Sequence, residues 1–435
     1  MSAAQAPPTG APSTDPPPAV APAEDASRPV VRPAAAFSDL PPLGLYLHFP
    51  WCVSKCPYCD FNSHAVRDTL PEARYVEALL ADLEAEVAAD PALAAGRRAL
   101  VSVFLGGGTP SLFSPESIGR VLEGVRRCLP FAADVEITME ANPGTIERGR
   151  FAGYAGAGVN RVSLGAQSFD AGALQRLGRI HSPDDTRRAA AELHAAGLVN
   201  FNLDLMYALP GQSAAQALHD VDCALALDPA QVSHYHLTLE PGTPFAALPP
   251  PGLPGDDEVE SMLELAAARL AAAGLHRYEV SAYARAGRES RHNLNYWRFG
   301  DYLGIGAGAH GKRSGVAGED GGGRGTLQIR RTLRLREPRR YLGRQPAEVT
   351  VTPVAAAQLP FEFMLNALRL VGGVELGLYE RHTGQAWDSI APTVERLVRR
   401  GLLADPGCGR LQPTSQGLQF LNDLLVEFLP TETGT

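Results

Sequence analysis

The chemistry this chain could perform is concentrated in Cys52, Cys56 and Cys59, spaced C-x₃-C-x₂-C in the run Pro50-Trp51-Cys52-Val53-Ser54-Lys55-Cys56-Pro57-Tyr58-Cys59. Thiolate sulfur suits iron–sulfur clusters, zinc and copper(I), whereas magnesium and calcium want oxygen ligands that this run lacks. Three thiolates can hold an iron–sulfur cluster and still leave one iron without a protein ligand. That open iron is where a reaction can start.

Three blander readings compete. Positions i, i+4 and i+7 share one face of a helix, so the cysteines could be small buried hydrophobes. Pro57 argues against this because it would remove a helical hydrogen bond, and Pro50 biases its predecessor toward extended backbone. A structural Cys₃His zinc site is the stronger competitor, since His48 and His64 flank the triplet. Such sites usually draw ligands from two separated knuckles, however, and no second pair is present. Cys128, Cys223 and Cys408 are scattered singly, which is no disulfide framework and fits a reducing cytoplasm.

The elements that must position the triplet are legible as alternating patterns. β-type runs at 43–49, 101–105, 135–139, 161–164, 201–206 and 231–239 alternate with Ala- and Leu-rich helical patterns such as 75–89, 118–128 and 186–196. Repeated βα units imply a parallel sheet with crossover helices, and six of them fit an α/β fold built as a partial (βα)6 barrel. In barrels the ligand chemistry gathers at the carboxyl ends of the strands. The polar and glycine-rich residues follow that rule: Gly106-Gly107-Gly108-Thr109-Pro110 after the second run, Glu140-Ala141-Asn142-Pro143 after the third, Gly165-Ala166-Gln167-Ser168 after the fourth, and Asp204 late in the fifth. The triple glycine permits close backbone approach and offers free N–H groups to a carboxylate or amino-acid-like ligand.

Taken together, the triplet after a first strand and the glycine turn resemble the radical S-adenosylmethionine (SAM) superfamily. The resemblance implies that Cys52, Cys56 and Cys59 ligate a [4Fe–4S] cluster whose free iron is chelated by SAM. It also implies that Gly107, Gly108 and Thr109 receive the SAM amino group and that Glu140, Gln167, Arg179 and Asp204 contact SAM, as in the coproporphyrinogen-oxidase-like branch. Tyr46 and Tyr58 match positions beside the cluster and the adenine. Carboxylate, guanidinium and amide partners suit a cationic ligand that carries a carboxylate, a ribose diol and an adenine.

A second signature is His292-Asn293-Leu294-Asn295-Tyr296-Trp297, followed by 302–311. By default its histidine is a hydrogen-bonded structural residue and its aromatics are packing groups. The H-N-x-x-Y-W run nevertheless resembles the HemW-like haem chaperones, relatives of oxygen-independent coproporphyrinogen III oxidase, and the likeness runs from about residue 43 to the C-terminus. It implies a protein that carries haem as cargo to respiratory haem proteins, with His292 in a haem-associated element. The oxidase pattern extends to C-x₃-C-x₂-C-x-C, and Phe61 stands at the last position. This opposes the alternative activity, SAM-dependent oxidative decarboxylation of coproporphyrinogen III to protoporphyrinogen IX, and favours a chaperone without it.

The rest of the chain sets the frame. It has 435 residues, 45% of them hydrophobic and 20% charged, as expected of a globular protein with one large core or two. A net charge of −9 makes a broad nucleic-acid footprint improbable. Residues 1–42 are rich in proline and alanine and are expected to be a disordered tail with no secretory pattern. The expected layout is then a radical SAM partial barrel at 43–311, a linker and basic strand at 312–345, and a C-terminal winged-helix-like α/β domain at 346–435. The glycine-dense 311–325 reads as a flexible connection, and the arginines of 328–344 read as an exposed charged edge strand rather than a haem-propionate contact. A cytoplasmic location is expected, with peripheral membrane association and a homodimer left open. The electron donor is not identified by any residue.

Overall fold

The computed structural model describes residues 40–144, 149–317, 326–344 and 347–430. Nearly all of the proline-rich tail therefore lies outside the described residues. The six expected strands are present: β1 Leu43–Phe49, β2 Leu100–Gly107, β3 Phe131–Ala141, β4 Arg161–Gln167, β5 Phe201–Tyr207 and β6 Gln231–His236. They lie side by side in chain order and all run parallel. The sheet then continues at both ends. At the β6 edge, β7 His276–Arg277 and β8 Ala282–Ala284 add antiparallel, β8 next to β6. Beside β1, β9 Asp301–Ile305 adds parallel, followed by antiparallel β10 His310–Ala317, β11 Thr326–Arg334 and β12 Val349–Pro353. The full linear order is β12-β11-β10-β9-β1-β2-β3-β4-β5-β6-β8-β7.

Side-chain alternation assigns the two faces. In β1, Leu43, Leu45, Leu47 and Phe49 join Val103, Leu105, Ile137, Met139, Val162 and Leu164 in one core. Helix α1, Glu72–Ala88, covers that face with Tyr75, Val76, Leu79 and Leu83. Burying each such side chain is worth roughly 1.5–3 kcal/mol, so this face holds the sheet together. The intervening residues, Tyr46 and His48 in β1 and Ser163 and Asp204 in β4 and β5, point to the other face and carry the polar groups. The crossover helices begin where the sequence can cap them. Ser114 accepts from Ser117 N at the start of α2, Pro115–Cys128, with Pro115 at its first position. Ser182 and Asp185 form a reciprocal capping box that opens α3, Pro183–Ala195, and Ser213 with Gln216 does the same for α4, Ala214–Leu225.

A second hydrophobic cluster gathers Phe363, Met364, Tyr379, Val394, Leu397 and Leu424. It is built by α5 Leu359–Ala367, a short helix Gly377–Thr383, α6 Ala391–Arg399 and the helices at Ser415–Gln419 and Leu421–Val426. Val374–Glu375 pairs antiparallel with Arg410–Leu411 in a separate two-stranded element. No helix among the described residues is long and apolar enough to cross a membrane.

Two expectations are corrected. The basic run is not an edge strand: β11 is paired on both sides, with β10 and with β12. Arg334 is buried and meets Asp82 and Glu86, Arg313 pairs with Glu86 and Asp90, and Arg331 pairs with Glu362 and donates to Tyr302 Oη at 2.9 Å. Arg334 and Arg313 thus neutralise Asp82 and Glu86, acids of α1, while Arg331 meets Glu362 of α5. Nor is 311–317 a loose connection, since His310–Ala317 is strand, paired residue by residue with β11. Residues 318–325 lie outside the described residues.

Candidate functional site

The cysteine loop leaves β1 through Trp51–Cys52, which pairs in parallel with His64–Ala65 and closes the loop at its base. The three half-buried thiols sense one another electrostatically, and each has its own polar neighbour. Thr109 Oγ1 donates to Cys52 Sγ at 3.5 Å, Arg179 Nη1 to Cys56 Sγ at 3.8 Å, and Ser63 Oγ lies 3.7 Å from Cys59 Sγ. Burial raises the Cys52 and Cys59 thiols above their ordinary pKa, against the pull of these hydroxyls. Outer partners of this kind orient ligating sulfurs and support their negative charge once a metal centre is bound, so the donor set fits an iron–sulfur cluster. A structural Cys₃His zinc site would take its fourth ligand from a histidine beside the triplet. His48 is already engaged: Nε2 donates to the Asn62 carbonyl at 2.9 Å, which leaves Nδ1 to accept from Tyr46 Oη at 2.9 Å.

The glycine turn sits against this loop. Gly108 N donates to Phe49 O and Thr109 N to Trp51 O, at 2.8 and 2.7 Å. Gly107 has φ +112°, and a Cβ there would lie 2.4 Å from the His48 ring; one on Gly108 would lie 2.5 Å from the Trp51 carbonyl oxygen. Only glycine allows the turn to approach β1 so closely. Glu140 Oε2 accepts from Gly107 N at 2.9 Å. Asn142 donates to Thr109 Oγ1 at 2.8 Å and accepts from Arg179, which also donates to Gly165 O at 2.9 Å. Tyr58 lies beside Arg179 and Cys56. Gln167 closes β4 with φ +64°, a backbone conformation that costs a non-glycine residue free energy and recurs at functional sites. Asp204 accepts from Ser163 and Tyr235 at 3.1 and 3.2 Å and from Asn202 at 2.8 Å.

The electrostatics single out Glu140. Burial, with the nearby Asp204 charge adding to it, pushes its carboxyl up to about 7 despite the Gly107 N–H. Asp204 is raised too, first by burial. Two half-buried acids lie close enough to repel each other, which a cationic ligand would relieve.

Thus Gly107, Gly108, Thr109, Glu140 and Gln167 gather at the carboxyl ends of β2 to β4 beside the cysteine loop, with Tyr58 and Arg179, while Tyr46 and Asp204 lie in the middle of β1 and β5. His292 borders this group, its ring stacked against that of Tyr46 at 6.4 Å. It lies in the helix Arg291–Trp297, stacked on Phe104 at 4.8 Å, with Nδ1 2.9 Å from Ser102 Oγ. It is 2% exposed, and its Nε2 is buried without a partner. Glu136 caps that helix by accepting from Arg291 N and His292 N. The sequence did not reveal Asn62 and Tyr235 as members of the site. Nothing in either residue's spacing signals its role, because both act through contacts between distant segments.

Comparison with known proteins bears on the same residues. Residues 46–224 match the family model of the radical SAM superfamily, and residues 354–420 match that of the HemN C-terminal domain. The chain is 48% identical over 391 residues to the heme chaperone HemW of Escherichia coli (strain K12), covering 90% of this chain and 99% of that one. It is 32% identical over 389 residues to the heme chaperone HemW of Bacillus subtilis (strain 168), covering 88% and 98%. The structure of coproporphyrinogen III oxidase (HemN) from Escherichia coli, a radical SAM enzyme, superposes with a TM-score of 0.72 at 20% identity over 90% of each chain. At that identity the likeness speaks for the fold.

Proposed function

Because this chain belongs to the HemW family of heme chaperones within the radical SAM superfamily, we propose that it binds a [4Fe–4S] cluster and SAM, carries haem, and delivers it to respiratory haem proteins. The near full-length identity to named heme chaperones carries the reading. Cys52, Cys56 and Cys59 hold the cluster. The Gly107–Thr109 turn, Glu140, Gln167, Arg179 and Asp204 seat SAM, with Tyr46 and Tyr58 beside it. When bound, the reduced cluster and SAM together supply one-electron sulfonium chemistry. The chain's own residues bind and orient: the turn presents backbone to the amino-acid end, Arg179 keeps positive charge beside Cys56, and Glu140 and Asp204 answer a cation and a diol.

Glu140 gives this seat a pH signature. In the free protein its carboxyl titrates at about 7. Binding a cation favours the ionised form, so a proton must leave when SAM binds below that pH. SAM affinity therefore weakens as pH falls through about 7, approaching tenfold per unit on the acid side. Calorimetric titration between pH 6 and 8 checks this, with Glu140→Gln expected to bind more weakly and without that slope.

The function itself is tested by anaerobic reconstitution followed by haem titration with and without SAM. The expected outcome is stoichiometric haem binding with no coproporphyrinogen consumed. Formation of protoporphyrinogen would instead make the chain an oxidase, and failure to retain haem would remove the chaperone reading.

A further inference from the structure

Beside the cysteine loop lies a cavity of about 500 Å³ that none of the proposed SAM contacts lines. Its walls come from Cys59, Phe61, His64 and Lys55 of the loop and from Arg336 after β11. We propose that this cavity docks the haem: the macrocycle lies on Phe61, His64 presents its imidazole to the iron, and Lys55 and Arg336 meet the propionates. The inference rests on the haem-carrier reading above and names the surface that holds the cargo.

Four observations carry it. The volume falls within the roughly 300–1,000 Å³ of ordinary ligand pockets. Phe61 is 59% exposed at the rim, a large aromatic left in water beside a cavity. It is held there rather than loose. Ser63 N donates to Phe61 O at 2.7 Å, Lys55 Nζ donates to the same oxygen at 3.0 Å, and Asn62 ties the loop to the Ala307 and Arg336 carbonyls at 2.9 Å each. A surface fixed in advance loses little freedom when a flat ligand settles on it.

His64 is the imidazole within reach. Its Nε2 donates to Asn62 Oδ1 across a long contact, 3.3 Å, so ligation of iron by that nitrogen breaks one weak bond and moves the ring proton to Nδ1. Burial, with Lys55 adding to it, holds His64 below its ordinary pKa, so the ring is neutral at pH 7, the form that ligates iron. The charges also suit a dicarboxylate. Asp60 and Glu337 share the cavity, but Glu337 caps the helix Pro338–Gly343 by accepting from Arg339 N and Arg340 N at 3.1 and 2.7 Å. Lys55 and Arg336 thus line the cavity with one of its two acids engaged elsewhere, and Lys55 gives up only its bond to the Phe61 carbonyl to meet a propionate.

The test uses the full chain with its cluster reconstituted, titrated with haemin and followed by the Soret band. His64→Ala is expected to shift the band and weaken haem by about tenfold or more, with added imidazole restoring the spectrum. The Lys55→Glu, Arg336→Glu double variant is expected to weaken haem by a similar factor without shifting the band. Iron and sulfide content should be unchanged in both. If the unsubstituted protein binds haem and these variants match it in affinity and spectrum, the site is elsewhere and this inference fails while the chaperone function stands. A band shifted by His292→Ala and not by His64→Ala overturns it in the same way. If the unsubstituted protein binds no haem, the functional reading itself falls.

Discussion

Cys56→Ala protein, prepared without air, is expected to contain almost no iron or labile sulfide and to lose the broad visible absorbance that the parent shows after reconstitution. In the proposed site three thiolates are the whole protein contribution to the cluster, and two would not hold a cube of four irons against loss to solvent. SAM binding should fall with it, because the open iron is part of the seat. The fold should survive. Cys56 lies half-buried in a loop outside the main hydrophobic cores, and the sheet beneath depends on Leu43 to Phe49 and the residues packed on them. Far-ultraviolet circular dichroism and the unfolding midpoint of the cluster-free protein should therefore match the parent after its cluster is stripped. Metal analysis checks the result: retained zinc in both proteins, with no iron in either, would overturn the cluster assignment.

The cluster loop and the parallel sheet were legible because both are local signals. Pro50 and Pro57 exclude a helix, and the spacing of the cysteines needs no partner from elsewhere in the chain. The six strands were readable as apolar runs, since one face of each is packed under helices. The sheet's later half was not. β9 lies next to β1 although some 250 residues separate them, and nothing in Asp301–Ile305 announces a parallel partner at Leu43. The arginines of β11 were misread for a related reason. Asp82 and Glu86 sit among the apolar residues of α1, where helical periodicity marks a core face, so the acids that call for Arg334 were hidden in a pattern that reads as hydrophobic. His292 is conspicuous in its motif, but its contacts with Ser102 and with the Phe104 and Tyr46 rings join distant segments that no local pattern announces.

Asp301 is the position where one substitution should cost the fold most. Its carboxylate is 0% exposed and serves four donors: Arg98 at 2.8 Å, Lys312 at 3.1 Å, and the Ser314 amide and hydroxyl at 3.0 and 2.8 Å. Lys312 also donates to Phe299 O and lies 4.1 Å from the centre of the Phe299 ring, a residue of the second hydrophobic cluster. Asp301 therefore sits where the sheet meets that cluster, next to Leu43 of β1. Asp301→Ala leaves two buried cations without an anion. Lys312, whose pKa burial already lowers, can shed its proton, but the Arg98 guanidinium cannot. The expected loss is about 3–5 kcal/mol, read as a lower denaturant midpoint. Asp301→Ala combined with Lys312→Met should recover part of it, since removing both partners costs less than orphaning one. The pH dependence has a fixed sign. Burial pushes the Asp301 carboxyl up, but Lys312, Arg98 and Ser314 outweigh it, so its folded pKa lies below the unfolded value. The stability it contributes is thus present above about pH 4 and is lost as pH falls through the depressed folded value. The parent should lose stability in that acid range, and Asp301→Ala should show a shallower acid limb; equal midpoints for the two proteins at pH 7 would show that this buried carboxylate does not hold the junction together.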